Sequence, residues 1–381
     1  MQIELDEEQQ ILRDTVRRFA AERVAPRARE IDASGEFPAE FFREAGELGL
    51  AGVAVPEQYG GAGMDQIDYC VAIEEISSVC ASSGVILSVN NSLVCDPILR
   101  YGSEEQKKEF LTPLAAGAKL GCFALTEPEA GSDAAALRTT ARRDGDGYVL
   151  DGSKVFITNG THADVALVFA TVDAERGHKG ITAFLVPADA EGYSRGGHEY
   201  KLGVQASGTT QLYFEGLRAP AAWRLGEEGE GFRIALATLD GGRIGIAAQA
   251  VGIARGALDA ALAYARERRQ FGKAIAEFQA IQFYLADMAM EIDAARLLVY
   301  KAAWAKMNRK RYSLEAAQAK LFASEMAQRV TNKALQIHGG YGYTRDYDVE
   351  RFFRDARITE IYEGTSEVQK MVIADWILRD A

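Results

Sequence analysis

The sequence predicts an α+β fold built from three successive units. They are an N-terminal helical domain, a middle antiparallel β domain that is a barrel or a sandwich, and a C-terminal four-helix bundle. Three observations predict it. Apolar residues recur at helical spacing through residues 1–119. Short apolar or alternating runs with glycine-rich links fill 120–230. Long alanine-rich stretches of helical period return over 231–381. Strands confined to one block exclude a chain of alternating strands and helices.

In the first unit Ile11, Leu12, Val16, Phe19 and Ala20 share one helical face. Pro26 and Pro38 interrupt that pattern. A short helix and a glycine-rich turn follow, and residues 65–87 read as a largely apolar helical stretch. Ser103 stands as a helix cap with Gln106 three residues on, the spacing of a reciprocal cap. In the middle unit "YVLDGSKVFITNG" reads as two strands around an Asp151–Gly152 hairpin turn. "VALVFATV", "ITAFLVPA" and "TTQLYFEGL" are further strands. The last unit holds three long helices, over 231–271, 278–307 and 313–340. The first two are apolar around more than half their circumference and must be covered on several sides, as in a bundle that packs against other subunits.

The chain has 381 residues, 43 basic and 55 acidic, for a net charge of −12. That excludes nucleic acid as a general partner, because a phosphate backbone demands a concentrated basic surface. Cys70, Cys80, Cys95 and Cys122 show no CxxC spacing, and Cys70 and Cys80 read as core residues. The opening "MQIELDEEQQ" does not read as a signal peptide. No uninterrupted apolar run approaches the ~20 residues of a membrane span. His162, His178, His198 and His338 form no metal-binding pattern, so no metal is expected. There is no GxGxxG after a first strand and no GxxxxGK[ST], so any nucleotide is held by other means.

Six segments, in order along nearly the whole chain, carry a resemblance. They are "FALTEPEAGSD" (Phe123–Asp133), "KVFITNG" (Lys154–Gly160), "LDGGRIGIAAQAVGIA" (Leu239–Ala254), "RRQFGKAIAEFQAIQ" (Arg268–Gln282), "QIHGGYGYTRDYDVERFFRDARI" (Gln336–Ile358) and "IYEGTSEVQ" (Ile361–Gln369). Together they closely resemble the acyl-CoA dehydrogenases, in particular the short-chain or butyryl-CoA type. The resemblance implies one FAD per subunit and a homotetramer, a dimer of dimers with FAD near a subunit interface. It implies α,β-dehydrogenation of an acyl-CoA thioester, with electrons leaving to an electron-transferring flavoprotein. A bacterial cytoplasm is expected, or the mitochondrial matrix for a processed eukaryotic form.

By resemblance Glu363 is the catalytic base. A thioester α-hydrogen is a very weak acid, so the carboxylate must work in a site that excludes water. Burial should raise its proton affinity above the reference of ~4.3. Tyr362 supplies an aromatic wall, and Gly364 lets backbone approach closely. The thioester carbonyl would accept from the Glu363 N–H and from a ribityl hydroxyl, an oxyanion hole. Some relatives carry the base just before an arginine on the "LDGGRIG" helix; here that position is Gly242, which cannot take a proton. Arg243, next to it, is expected to help order the catalytic loop.

For the flavin, the resemblance assigns Phe123, Leu125 and Thr126 to the ring, and Gly131 and Ser132 to the pyrophosphate or nearby coenzyme A. Phe156 stands where tryptophan is common, as an aromatic wall, with Thr158 beside it. Read from its strand alone, Phe156 is a core residue. Arg268, Phe271, Gln279, Gln336, Gly339 and Gly340 match contacts to the ADP half from a neighbouring subunit. Thr365 matches a pyrophosphate contact and Glu367 adjoins it. Gln205 and Asp348 replace a common arginine and proline, the second expected to alter only a turn. "SGVILSVNNSLVCDPI" resembles the helix lining the acyl pocket. Medium- or branched-chain substrates, an acyl-CoA oxidase and a non-catalytic flavin- or acyl-CoA-binding protein remain as alternatives.

Overall fold

A computed structural model of the chain describes residues 4–379. Helices come first: α1 (Glu7–Phe19), α2 (Ala28–Ser34), α3 (Ala39–Glu47), α4 (Gln66–Ser77), α5 (Ala81–Ser88), α6 (Asp96–Tyr101), and the short α7 (Glu104–Gln106) and α8 (Thr112–Ala115). Asp6 caps α1 reciprocally with Gln9. Pro26 sits in the 3-10 turn Ala25–Arg27, which leads directly into α2. Ser103 and Gln106 form the expected reciprocal cap. Between α5 and α6 the helix widens into a π-helical stretch, Val89–Cys95, a wound form often found at functional sites.

The middle of the chain forms one sheet. Its strands are β1 (Gly121–Ala124), β2 (Thr140–Asp144), β3 (Gly147–Ile157), β4 (Val165–Thr171), β5 (Ile181–Pro187), β6 (Tyr193–His198), β7 (Thr210–Ala219) and β8 (Arg224–Leu225). The path runs β6-β7-β3-β2-β4-β5-β8, with β1 beside β4. Most pairs are antiparallel as expected, but β1 and β2 each run parallel to β4. β4 is buried along its whole length. The expected hairpin at Asp151–Gly152 is absent. β3 runs straight through those residues with a register shift, and the hairpin turn lies earlier, at Gly145–Asp146 between β2 and β3. Gly145 takes the positive φ (62°) such a turn needs. Asp151 instead accepts from the Gly216 N–H at 2.7 Å.

The chain then returns to helix: α9 (Gly231–Glu267), a small ribbon of β9 (Arg269–Gln270) and β10 (Lys273–Ala274), α10 (Gln279–Asn308), α11 (Ser313–His338), α12 (Val349–Arg357) and α13 (Ser366–Arg379). α9, α10 and α11 pack together, and α12 and α13 close on α11. α9 is long and apolar enough to cross a membrane, but 67% of its apolar window is buried within the protein, the environment of a core helix. α10 leaves Phe283, Tyr284, Met290 and Leu297 exposed. Glu75 on α4 ties the two helical regions together, accepting from Arg17 at 2.9 Å and from Arg255 of α9 at 2.5 Å. All four cysteines are buried and unpaired. Asp348 does more than alter a turn: it bonds Arg29 at 2.7 Å and so ties the α12 entrance to α2. Gln205 closes a local turn with Lys201.

Candidate active site

The segment "IYEGTSEVQ" leaves a 3-10 turn and enters α13 through two left-handed residues, Glu363 (φ 51°) and Gly364 (φ 93°). A non-glycine residue there costs on the order of 1–2 kcal/mol, so surrounding contacts must hold it. The Gly364 carbonyl accepts from Lys320 Nζ at 2.7 Å and from Gln369 Nε2 at 2.8 Å. A side chain at 364 would be strained by the φ of 93°, and its Cβ would push Gln369 Nε2, 2.6 Å away, from its bond. Thr365 Oγ1 accepts from the Val368 N–H at 3.3 Å and starts the last helix.

The turn aims Glu363 inward. Its Oε2 is enclosed and has no hydrogen-bond partner. Gly242 forms the wall in front of it. Burial pushes the Glu363 carboxyl up to about 8, opposed by the positive charges of Lys320 and Arg243. Arg243 is 6% exposed and donates to Asp240 Oδ1 at 2.7 Å, leaving its Nε without a partner. Asp240 in turn accepts from Ser313.

A small cluster of apolar side chains adjoins the carboxylate. Val85, Val89 and Leu93 come from α5 and the π-helical stretch, Ile246 and Leu239 from α9, Phe123 from β1, and Tyr362 from the loop. Val89 and Leu93 of the π-helical stretch join this cluster while Asn90 and Asn91 bond the Ala51 and Leu50 carbonyls. Tyr362 donates to Gln249 Oε1, and Gln249 donates to the Ala81 carbonyl at 2.9 Å. At Gly245 a Cβ would meet Tyr69 Oη at 2.2 Å and Ser88 Oγ at 2.5 Å, so α9 lies flush against α4 and α5.

The loop after β1 meets the end of β3 near this cluster. The Val155 N–H donates to the Thr126 carbonyl at 2.9 Å. Beneath them Lys154, fully buried, donates to the Leu125 carbonyl at 3.1 Å and to Glu127 Oε1 at 2.7 Å. Glu127 also accepts from the Arg138 and Thr139 N–H groups. Burial pushes the Lys154 ammonium down to about 8, opposed by Glu127. Phe156 is not a core residue. Its φ of 58° turns the ring outward and leaves it 68% exposed, although it lies within a strand. Thr126 and Thr158 are half-buried nearby, while Gly131 and Ser132 lie on an exposed turn. Open space surrounds Gly131, so nothing in this chain demands a glycine there. An uncovered aromatic face, two half-buried hydroxyls and an orphaned carboxylate oxygen fit a planar, hydrogen-bonding cofactor such as a flavin.

The remaining residues gather elsewhere. Arg268, Gly339 and Gly340 line a cleft of about 450 Å³ with Tyr264, His338 and Tyr341. The Arg268 guanidinium lies 5.4 Å from the Tyr341 ring centre. No side chain crowds either glycine. No residue of the sheet lines this cleft, and neither Phe271, Gln279 nor Gln336 does. Phe271 is 93% exposed at φ 51°, and Gln279, Gln336 and Glu367 are exposed. An arginine with open backbone around it suits phosphate. Sequence reasoning missed Lys320, Lys154, Glu127, Gln249 and Gln369. Lys320 had a signal: it falls on the stripe Ala316, Ala319, Ala323, Ala327, where a helix buries its face. Among the described residues no His, Cys, Asp or Glu cluster could hold a metal.

Comparison with known proteins places the chain. Residues 6–118, 122–217 and 229–378 match the N-terminal, middle and C-terminal domains of acyl-CoA dehydrogenase. A short-chain-specific acyl-CoA dehydrogenase of Clostridium acetobutylicum is 51% identical over 379 residues, covering 100% of both chains. The butyryl-CoA dehydrogenase structure from Megasphaera elsdenii superposes with a TM-score of 0.98 at 47% identity, covering 100% of both. A glutaryl-CoA dehydrogenase from Mycobacterium smegmatis in complex with FADH2 gives 0.92 at 36% identity, covering 98% of this chain and 95% of its own. The chain belongs to the acyl-CoA dehydrogenase family. It is an oxidoreductase, and its cofactor is FAD.

Proposed function

We propose that the chain oxidises short-chain acyl-CoA thioesters to trans-2-enoyl-CoA, with Glu363 as the base. The carrying observation is the enclosed, unpartnered Glu363 Oε2 beside a cluster of apolar side chains. Val85, Val89, Leu93 and Ile246 would face the acyl chain and exclude water from the α-carbon. Glu363 takes the α-proton onto its carboxylate. Bound FAD supplies the acceptor for the β-hydrogen and its electron pair. The Glu363 N–H makes no hydrogen bond within the described chain. It is thereby free to donate to the thioester oxygen as negative charge develops. Tyr362, held by Gln249, and Gly364, held by Lys320 and Gln369, fix the base, with Arg243 beside it.

Leu125, Thr126, Phe123, Phe156 and Thr158 would hold the flavin ring, and Gly131, Ser132 and Thr365 its phosphate side. Arg268, Phe271, Gln279, Gln336, Gly339 and Gly340 would serve the ADP part of a neighbouring subunit's FAD. Arg268, Gly339 and Gly340 share a cleft that no residue of the sheet's loops lines, which supports that reading, as does the exposed apolar surface of α10. A homotetramer and an electron-transferring flavoprotein as acceptor complete it. We place the three domains at 1–119, 120–230 and 231–381.

The test is anaerobic mixing of the yellow protein with butyryl-, hexanoyl- and isobutyryl-CoA. Bleaching of the flavin band is expected, fastest with butyryl-CoA. No bleaching with any of the three would overturn the substrate class. Rapid peroxide formation in air would favour an oxidase.

A further inference from the structure

One charged group beside the base enters the scheme above only as a hydrogen-bond donor to the turn. Lys320 is fully buried in α11, amid Ala316, Ala319, Ala323 and Ala327. Its Nζ makes one hydrogen bond, at 2.7 Å to the Gly364 carbonyl. That carbonyl already has a neutral donor in Gln369. If holding the turn were the only task, an ammonium would be a costly way to do it, because burying a charge carries a large desolvation penalty.

The charges around Glu363 explain the residue. Arg243 is nearby, but Asp240 neutralises it at 2.7 Å. Lys320 touches only a neutral carbonyl, so it contributes the uncompensated positive charge. The charged groups bearing on Lys320 are Glu363 first, then Arg243 of α9, Glu360 of the preceding 3-10 turn and Glu367 of α13. Burial pushes the Lys320 ammonium down to about 8, opposed by Glu363, just as it pushes Glu363 up.

We propose that Lys320 is a positioning residue for the base. It pins the left-handed Glu363–Gly364 turn and supplies the buried positive charge that lets Glu363 ionise in apolar surroundings. This rests on Glu363 being the base. As the proton passes from the thioester to Glu363, the negative charge moves onto the thioester, and Lys320 lies beside the base throughout.

The test uses the FAD-bound enzyme and three variants. Lys320→Gln keeps a donor and loses the charge, Lys320→Met loses both, and Lys320→Arg keeps the charge. The rate of anaerobic flavin reduction by butyryl-CoA is followed from pH 6 to 10. In Lys320→Gln the rising limb should move up by at least about one pH unit, an about tenfold loss below it, with KM little changed. Lys320→Arg should restore the limb towards the parent's position. A Lys320→Gln limb coincident with the parent's overturns the proposal. If neither neutral variant folds, the reciprocal measurement decides, because coupling between two sites is mutual. Lys320 is titrated by NMR with 13C-labelled lysine in the parent and in Glu363→Gln. Its titration should fall to lower pH once the anion is gone; an unmoved titration overturns the proposal. Should Glu363→Gln itself bleach like the parent, the base assignment fails, and the lysine titration still reports whether the two groups interact.

Discussion

Gly242 and Glu363 occupy one space: a Cβ at 242 would stand 2.1 Å from Glu363 Oε2 and 2.7 Å from Leu93 Cδ2. The helix position before Arg243 must stay bare for the carboxylate from the loop to sit where it does. Gly242→Ala therefore displaces the base. Overpacking of this kind costs about 1–3 kcal/mol, so the protein should fold with a modestly lower Tm. Flavin reduction by butyryl-CoA should slow at least about tenfold, since a misplacement of about 1 Å can cost ~100-fold. Stopped-flow bleaching and a melting curve check both parts.

Phe156 separates cofactor binding from folding. Its ring is exposed, so Phe156→Ala should leave the stability of the flavin-free protein within about 0.5 kcal/mol of the parent. If the ring stacks on the flavin, the variant should lose FAD on dilution far more readily. Flavin released on gel filtration, set against the melting point of the apoprotein, measures the two effects separately.

Lys154 should behave in the opposite way. It joins the Leu125 carbonyl to Glu127 under both sheet loops, and Lys154→Met would leave Glu127 buried without its cation. Breaking a buried pair costs about 3–5 kcal/mol. The apoprotein should melt at a clearly lower temperature, and FAD retention should fall with it.

Much of this was legible in the residues. Helical period located α9, α10 and α11 to within a few positions, because each buries a continuous stripe. The Ser103–Gln106 cap was readable from two residues. The β3 hairpin was misplaced because "DGDG" and "DGS" offer similar turn chemistry. Only the pairing of β3 with β7, which runs through Gly152, chooses between them. Phe156 reads as core from its strand, and a positive φ that spacing does not encode turns it out. The segments around Glu363 were identified by resemblance. The groups that hold the base, Lys320, Gln249 and Gln369, come from three separate helices, and such long-range contacts leave little local trace.

The base also sets a pH dependence. Glu363 acts as a carboxylate, and burial raises it to about 8. A raised acid is mostly protonated below that value, so the reductive rate should climb with pH and level off above about 8. Below the limb the rate should fall about tenfold per pH unit. Stopped-flow reduction across pH 6 to 10 tests the direction. A rate independent of pH between 6 and 8 would contradict it.

The most direct test of the central claim is Glu363→Gln, loaded with FAD and mixed anaerobically with butyryl-CoA. Glutamine keeps the shape and loses the base. The variant should be a yellow, folded protein that binds the thioester but bleaches at least about 1,000-fold more slowly than the parent. In the parent, deuterium at the α-carbon should slow bleaching. A variant that bleaches within about tenfold of the parent would show that the proton goes elsewhere, and Glu363 would not be the base.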